Sequence, residues 1–294
     1  MHIETLKVFC DLADLESFSL AAERNLITQS AVSQQIRTLE EKFNRRLIER
    51  IRGRRELKLT AAGEVFYREA KNVITAYDLL QENLRGVVGK IGGTVKVATV
   101  YSVGLHELPA KVRDFMTKFP TVNIHLEYSR TTSVVRDVMN GSVDLGVVAF
   151  PEPRRGLVVT PMPDNRLVLI APPDHKFARR KTIKVTDLHT EDFVLFERDM
   201  PTRKAMDKIF KTNNVEVNKV AEFDNIETIK RAVEVGFGIA IVPEPTVTEA
   251  KRAGTLAVIQ LAEPYWTRTI GIIHRSDKAL SLAAKKFIQL LSKN

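Results

Sequence analysis

Val32, Ile36, Leu39 and Phe43 recur at spacings of four, three and four, which predicts one buried stripe along an α-helix. The opposite face of that stretch, TQSAVSQQIRTLE (28–40), carries Ser30, Ser33, Gln34 and Arg37 instead of the Glu/Lys mixture of an ordinary solvated helix. Short amides and hydroxyls beside a guanidinium can read base edges in a major groove while touching phosphates. The alternative is a polar helix surface with no partner. The flanking pattern bears on that choice. Residues 3–15 predict a helix with Leu6, Phe9, Cys10 and Ala13 inward. Ser17 or Ser19 can cap a short second helix holding Ala21, Ala22 and Leu26, and a tight turn at Ile27 and Thr28 leads into the polar-faced helix. Short helix, turn and second helix with a polar outer face is a helix-turn-helix pattern.

Alternating apolar residues on both sides of Arg52-Gly53-Arg54-Arg55 predict a two-stranded wing, from Leu47-Ile48-Glu49-Arg50-Ile51 to Glu56-Leu57-Lys58-Leu59-Thr60. From Thr60 a long helix runs to about Arg85, with Phe66, Ala70, Val73, Tyr77, Leu80 and Leu84 alternating spacings of four and three. That narrow heptad seam predicts pairing of helices from two chains, packing within one chain being the alternative. Dimerisation would also set two reading helices about one duplex turn apart. The stretch GVVGKIGG (86–93) holds four glycines and is expected to be a hinge.

Beyond the hinge, strand and helix patterns alternate. Strands are expected at 94–100, 122–128, 143–150, 166–171, 193–197, 217–222, 239–243 and 268–274. Helices are expected at 105–119, 132–140, 202–213, 226–236, 244–253 and 278–292. Continuously apolar runs such as VDLGVVAF (143–150) suit strands covered on both faces, and the alternation predicts mainly parallel sheets. Proline-rich crossings near 161–163 and at Pro264 suggest two α/β lobes joined by two strands. The expected organisation is a winged helix-turn-helix at 1–59, a linker helix and hinge at 60–92, and a two-lobed domain at 93–294. Lobe I takes 93–162 and 267–294, and lobe II takes 163–266.

Charge sharpens this picture. The net charge is +9, and between Lys42 and Lys58 the arginines 45, 46, 50, 52, 54 and 55 face only Glu49 and Glu56, a local excess of six. This patch suits phosphates or a neighbouring minor groove, against the plain alternative of a solvated hairpin. The single cysteine, Cys10, excludes an internal disulfide and suits a reducing cytoplasm, where it reads as core. No apolar run reaches the length of a membrane span, and Glu4, Lys7, Asp11 and Asp14 break the amino-terminal pattern expected of a signal peptide. A cytoplasmic protein without a membrane partner is the expectation.

The first 65 residues resemble the amino-terminal pattern of LysR-type transcriptional regulators almost position by position. The resemblance is carried by Phe9, Ser17, Phe18, Ala21, Ala22, Leu26, the run TQSAVSQQIRTLEE, Leu47, Arg50 and LTAAG (59–63). Looser matches continue through LPAKVRDFMTKFPTVNIHLE (108–127), GSVDLGVV (141–148), PTRKAMD (201–207) and VEVGFGIAIVP (233–243). The resemblance implies a winged helix-turn-helix, a dimerising linker helix and an α/β effector domain similar to periplasmic solute-binding proteins. It further implies dimers of dimers, a homotetramer, on promoter DNA, with RNA polymerase as a further partner. A small-molecule effector would replace any cofactor.

The outward face of the reading helix gives Gln29, Ser30, Ser33, Gln34 and Arg37 as DNA-binding residues, with Arg52, Arg54 and Arg55 on the wing, and matching the family pattern then gives the effector site. The effector residues are Ser102 and Val103 at the first strand-to-helix turn, Thr131 and Thr132 at the second, Thr202 and Arg203 in lobe II, and Asn225 and Ile226 before the glycine-rich strand. Hydroxyls at helix starts favour a carboxylate or similar small anion, although such residues also cap helices in the ordinary way. One departure stands out: the segment before the lobe II helix, often serine-rich in the family, reads Glu197-Arg198-Asp199-Met200-Pro201-Thr202.

Catalysis finds no motif. There is no phosphate-binding G-x-x-x-x-G-K-[ST], no G-x-S-x-G elbow, and Gly236-Phe237-Gly238 precedes a strand in reverse of a dinucleotide site. Six scattered histidines lack ligand spacing, so no metal is expected. A solute-binding protein would account for 94–294 and leave the first 90 residues without a role.

Overall fold

A computed structural model describes residues 2–50, 57–86, 91–262 and 266–293. The expected wing tip with Arg52, Arg54 and Arg55, half of the glycine-rich hinge (87–90) and the crossing at Pro264 lie outside them. The chain forms two compact units, each with its own core.

The first unit opens with α1 (Ile3–Leu15), α2 (Phe18–Arg24) and α3 (Gln29–Phe43). Ser17 Oγ caps α2 by accepting from Leu20 N, and Thr28 Oγ1 caps α3 by accepting from Ala31 N at 3.1 Å. Two inward assignments shift. In α1 the buried set is Leu6, Val8, Phe9, Cys10 and Leu12, with Ala13 only partly covered. Leu26 lies past the end of α2 with φ +54° and is 93% exposed, so it belongs to the turn.

Val32, Ile36 and Leu39 are buried as their spacing predicts, while Phe43 is half exposed, edge-on to Phe66. Strands β1 (Ile48–Arg50) and β2 (Leu57–Leu59) pair antiparallel as the base of the wing. Glu40 joins the wing to α3, its Oε1 accepting from Leu47 N at 2.7 Å and Ile48 N at 3.2 Å. Helix α4 (Ala61–Gly86) starts hard against this wing, where a Cβ on Gly63 would stand 2.0 Å from Leu47 O. Glycine is therefore required there for close packing.

In the second unit, lobe I carries β3 (Gly93–Thr99), α5 (Tyr101–His106), α6 (Leu108–Lys118), β4 (Val122–Tyr128), α7 (Thr131–Met139) and β5 (Leu145–Ala149). The chain crosses on β6 (Leu157–Ala171) into lobe II, with β7 (Thr182–Ile183), β8 (Asp192–Phe196), α8 (Pro201–Thr212), β9 (Asn218–Phe223), α9 (Ile226–Glu234), β10 (Ala240–Pro243), α10 (Thr248–Ala253) and β11 (Ala257–Leu261). It returns on β12 (Thr267–Arg275) and ends in α11 (Leu282–Leu291). Two long strands, β6 and β12, thus join the lobes, as the prolines suggested.

The expectation of mainly parallel sheets is corrected. Pairs β3–β4, β3–β5, β8–β9 and β11–β7 are parallel, but every pairing made by the crossing strand β6 is antiparallel. A strand that leaves one sheet to enter another must run against the strand that returns. The expected strand at 166–171 is the far half of β6, whose first half was hidden by Pro161 and Pro163. The expected helix 105–119 breaks at Glu107, because Pro109 lacks an N–H and restricts Leu108 before it. Prolines 243 and 245 likewise turn the start of 244–253 into a 3-10 segment before α10. Strand β11 had no counterpart in the sequence reading.

Candidate functional site

On α3, Gln29, Ser30, Gln34 and Arg37 are exposed and Ser33 is half-buried, so the expected reading face is presented to solvent on one helix. Arg37 is 74% exposed, and its Nε donates to Glu41 Oε1 at 2.9 Å one turn on. An exposed pair of this kind contributes only ~0.2–1 kcal/mol, so a phosphate or base edge can take the guanidinium at small cost.

The six seam residues on α4 divide into two groups. Ala70 is buried in the unit's own core, and Phe66 packs there with its ring 4.9 Å from that of Phe9. These two follow the intrachain alternative. Val73, Tyr77, Leu80 and Leu84 are exposed, at 48%, 38%, 55% and 64%, forming an apolar stripe past the end of the domain core. Nearby, Asp14 accepts from the Tyr67 hydroxyl and from Lys71 Nζ at 2.8 Å, pinning α4 to α1. Burial, helped by the hydrogen bond to Asp14, pushes the Tyr67 phenol up to about 12.

Between the lobes of the second unit lies a cavity of about 600 Å³. Lobe I contributes Tyr101 and Ser102 from the start of α5, Ser129 to Thr132 from the start of α7, and the Phe150–Arg154 loop after β5. Lobe II contributes Phe196, Asp199 to Pro201, Lys204, and Asp224 to Ile226. Five of the eight expected effector residues therefore meet here: Ser102, Thr131, Thr132, Asn225 and Ile226. Asn225 also caps α9, its Oδ1 accepting from Glu227 N at 2.8 Å.

Val103, Thr202 and Arg203 stand outside the cavity lining, and their placement is corrected. Val103 is fully buried on the inner face of α5. Thr202 and Arg203 are buried on the inner face of α8 with Met206 and Phe210. Arg203 donates to Asp207 Oδ1, Glu222 Oε1 and Phe196 O, each at 2.7 Å, which makes it a structural residue of lobe II.

Two features had no sequence signal beyond position. Arg130 of lobe I reaches across to lobe II, its Nη2 donating to Glu197 at 2.9 Å and Asp224 at 2.8 Å, and its Nη1 to Asp199 at 3.4 Å. The acidic segment that departs from the family's serine pattern thus supplies two of the three partners. His106 and Glu227 make a second contact between lobes, Nε2 to Oε1 at 2.7 Å.

Beneath the cavity, Arg268 of β12 is 1% exposed and donates to Ser102 Oγ at 2.7 Å, Asn165 Oδ1 at 2.6 Å and Glu107 Oε1 at 3.2 Å. Asn165 of β6 donates to Glu107 Oε2 at 3.1 Å. Burial lowers the Arg268 guanidinium to about 10, still charged at neutral pH, and raises the Glu107 carboxyl. Phe150 adopts φ +49° at the cavity wall, immediately before Pro151, where a bulky residue is strained.

A helix-turn-helix with a wing, a long linker helix and a two-lobed α/β domain around a cleft make up the architecture of a DNA-binding regulator that carries a ligand-binding domain. The chain belongs to the LysR family of transcriptional regulators: residues 3–64 match its bacterial regulatory helix-turn-helix domain and residues 89–294 its substrate-binding domain. Its members are DNA-binding regulators and not enzymes.

A "Probable RuBisCO transcriptional regulator" of Cyanophora paradoxa is 30% identical over 97% of this chain and 89% of its own. Full-length OxyR from Pseudomonas aeruginosa shares the fold at TM-score 0.77 and 22% identity, covering 99% of this chain and 93% of that one. Full-length CbnR complexed with its target DNA does so at TM-score 0.70 and 22% identity, covering 99% of each chain. Among the described residues, no helix is long and apolar enough to cross a membrane.

Proposed function

We propose that this regulator is a homotetramer on promoter DNA, controlled by a small anionic effector held between lobes I and II. The observation that carries the reading is the cavity of about 600 Å³ in which Ser102, Thr131, Thr132 and Asn225 converge from both lobes. Hydroxyls at the start of α7 can donate to a carboxylate, and a site at the lobe junction can bias two lobe arrangements. An effector shifts the protein only by its differential affinity for those arrangements, and DNA binding reports the shift.

In this reading Ser33 and Arg37 contact bases, and Gln29, Ser30 and Gln34 lie at the DNA surface. Arg52, Arg54 and Arg55 contact backbone or minor groove, so losing one lowers the salt slope of binding by about one unit on any sequence. Val73, Tyr77, Leu80 and Leu84 pair two linker helices, and RNA polymerase is a further partner at the promoter.

The test is a footprint of wild type and Thr132→Val with and without members of a panel of metabolite carboxylates. The variant keeps shape and loses the hydroxyl, so its response should need more ligand while DNA affinity holds. A footprint indifferent to every carboxylate that binds the cleft would sink the coupling.

A further inference from the structure

The chain passes between the lobes on β6 and β12, and the pairing pattern locates where the two lobes meet. Lobe I holds β12 from Ile270 onward, paired with Ala149 of β5, and lobe II takes up β6 from Leu167, paired with Pro243 of β10. Between these points the sheet narrows to residues 163–166 of β6 against 267–269 of β12. The register slips there: Arg268 faces Asn165 but Ile270 faces Met162, so Pro163 and Asp164 stand opposite Thr269 alone. A bulge bends the ladder, and a proline within it gives up no hydrogen bond because it has no N–H. A narrow, bent strand pair between two packed sheets is a pivot.

That pivot is filled by a buried charge. Arg268 is 1% exposed and its cross-strand partner Asn165 is 7% exposed. Glu107, at the break between α5 and α6 of lobe I, accepts from both, from Arg268 Nη2 at 3.2 Å and from Asn165 Nδ2 at 3.1 Å. Asn165 Oδ1 accepts from Arg268 Nη2 at 2.6 Å, and Ser102 Oγ of α5 accepts from Nη1 at 2.7 Å. Arg268, Glu107 and Asn165 therefore each bond the other two. The pivot strands cannot turn against α5 and α6 without breaking one of these bonds.

The network is nevertheless one bond short, since among the described residues Arg268 Nε is buried without an acceptor. Taking a charged pair out of water costs about what its attraction returns unless every remaining group is bonded, so an apolar cluster would hold this core as well. Apolar contact is non-directional, whereas a guanidinium and a carboxylate hold each other in one geometry.

We propose that Arg268, Glu107 and Asn165 form a pivot bolt, a conformational device that sets the angle between lobes I and II and adds little to stability. The bolt does not depend on what the cleft holds, so loss of the effector reading would leave it standing.

Spin labels on Lys118→Cys in lobe I and Lys211→Cys in lobe II report the angle as a distance distribution in the full-length protein, diluted with unlabelled chain. Both positions are exposed, and the native Cys10 is buried. The otherwise unaltered chain should give one narrow distribution. Glu107→Gln, whose amide can accept from only one of its two partners, should widen it. The same variant should melt on the order of 10 °C lower, because Arg268 is left as an uncompensated buried charge. Arg268→Met combined with Glu107→Leu and Asn165→Leu removes all three polar groups together. This triple variant should melt within about 5 °C of wild type and still show the widened distribution. A merely structural role would not separate angle from stability in that way. The proposal is overturned by a triple variant that keeps the narrow distribution, or by one that fails to fold or melts more than about 5 °C below wild type. A Glu107→Gln protein with wild-type melting and a wild-type distribution overturns it equally.

Discussion

Arg130 of lobe I and Asp224 of lobe II are joined at 2.8 Å across the mouth of the cleft, and Glu197 and Asp199 complete the clasp. All four side chains are substantially exposed, so the clasp is solvated and screened by salt. It links the two lobes through charged pairs and engages the guanidinium that an anion entering the cleft would compete for. Arg130→Met should widen the distribution of lobe separations, read as a larger radius of gyration for the effector domain by small-angle scattering and as faster cleavage near the crossing strands. Asp224→Asn should move in the same direction by less, since two carboxylates remain. Identical scattering and proteolysis for Arg130→Met and wild type would show that the clasp has no hold on the lobes.

On α3, Arg37 is paired with Glu41 one turn on. Arg37→Ala should cost about 1–3 kcal/mol of discrimination if the guanidinium reads a guanine. Glu41→Gln frees the arginine and, with this face proposed to meet DNA, removes a negative charge from it, so it should strengthen binding to operator and unrelated DNA alike. Mobility-shift titrations at two salt concentrations separate these effects. Unchanged selectivity in Arg37→Ala would take this helix face out of the major groove.

What the sequence made legible was whatever depends on local period. The stripe of Val32, Ile36 and Leu39 and the cap at Ser17, one of the two serines offered, follow from spacing within one or two turns and are where expected, whereas Thr28, read as part of the turn, proves to cap α3. Ser102, Thr131 and Thr132 could be placed in the cleft because each begins a helix leaving a strand of the same sheet. Thr202 and Arg203 were misplaced although the signal was present. They share a helical face with Met206, Ile209 and Phe210, which turns them into lobe II and leaves Pro201 and Lys204 toward the cavity. Arg268 was not legible at all. Its partners Ser102, Glu107 and Asn165 lie more than 100 residues away in sequence, and only the return of β12 beside β6 brings them together.

The linker helix shows why a heptad alone is ambiguous. Phe66 and Ala70 satisfy the same pattern as Val73, Tyr77, Leu80 and Leu84, yet the first two are consumed by the domain's own core. Leu80→Asp together with Leu84→Asp should break the dimer, since burying an unpaired charge at the seam costs several kcal/mol. Phe66→Ala should instead cost domain stability, by less than the roughly 3–5 kcal/mol of a fully buried phenylalanine because its ring is only partly buried. Sedimentation velocity and thermal melting of the full chain distinguish the outcomes. A Leu80/Leu84 double variant that sediments as wild type would place the dimer contact elsewhere.

The Tyr67–Asp14 contact predicts how the amino-terminal unit responds to alkali. The phenol titrates near 10 when free and is pushed up to about 12 in the fold by burial and by its bond to Asp14. A group whose folded value is raised binds more protons folded than unfolded between those limits, so stability falls as pH rises. The contribution is fully present below about pH 10 and is gone once the folded phenol ionises. Cys10, raised by burial from 9.0 to about 12, adds a loss of the same sign that begins lower. Tyr67→Phe keeps the ring and removes only the titration and the hydrogen bond. The variant should be less stable than wild type at about pH 8, and the gap should shrink by about half by about pH 11, closing only as the folded phenol itself ionises. Urea unfolding of both proteins at those two values is the measurement. A gap of constant size would mean that the phenol ionises equally easily folded and unfolded, and that Asp14 gives it no preference for the neutral form.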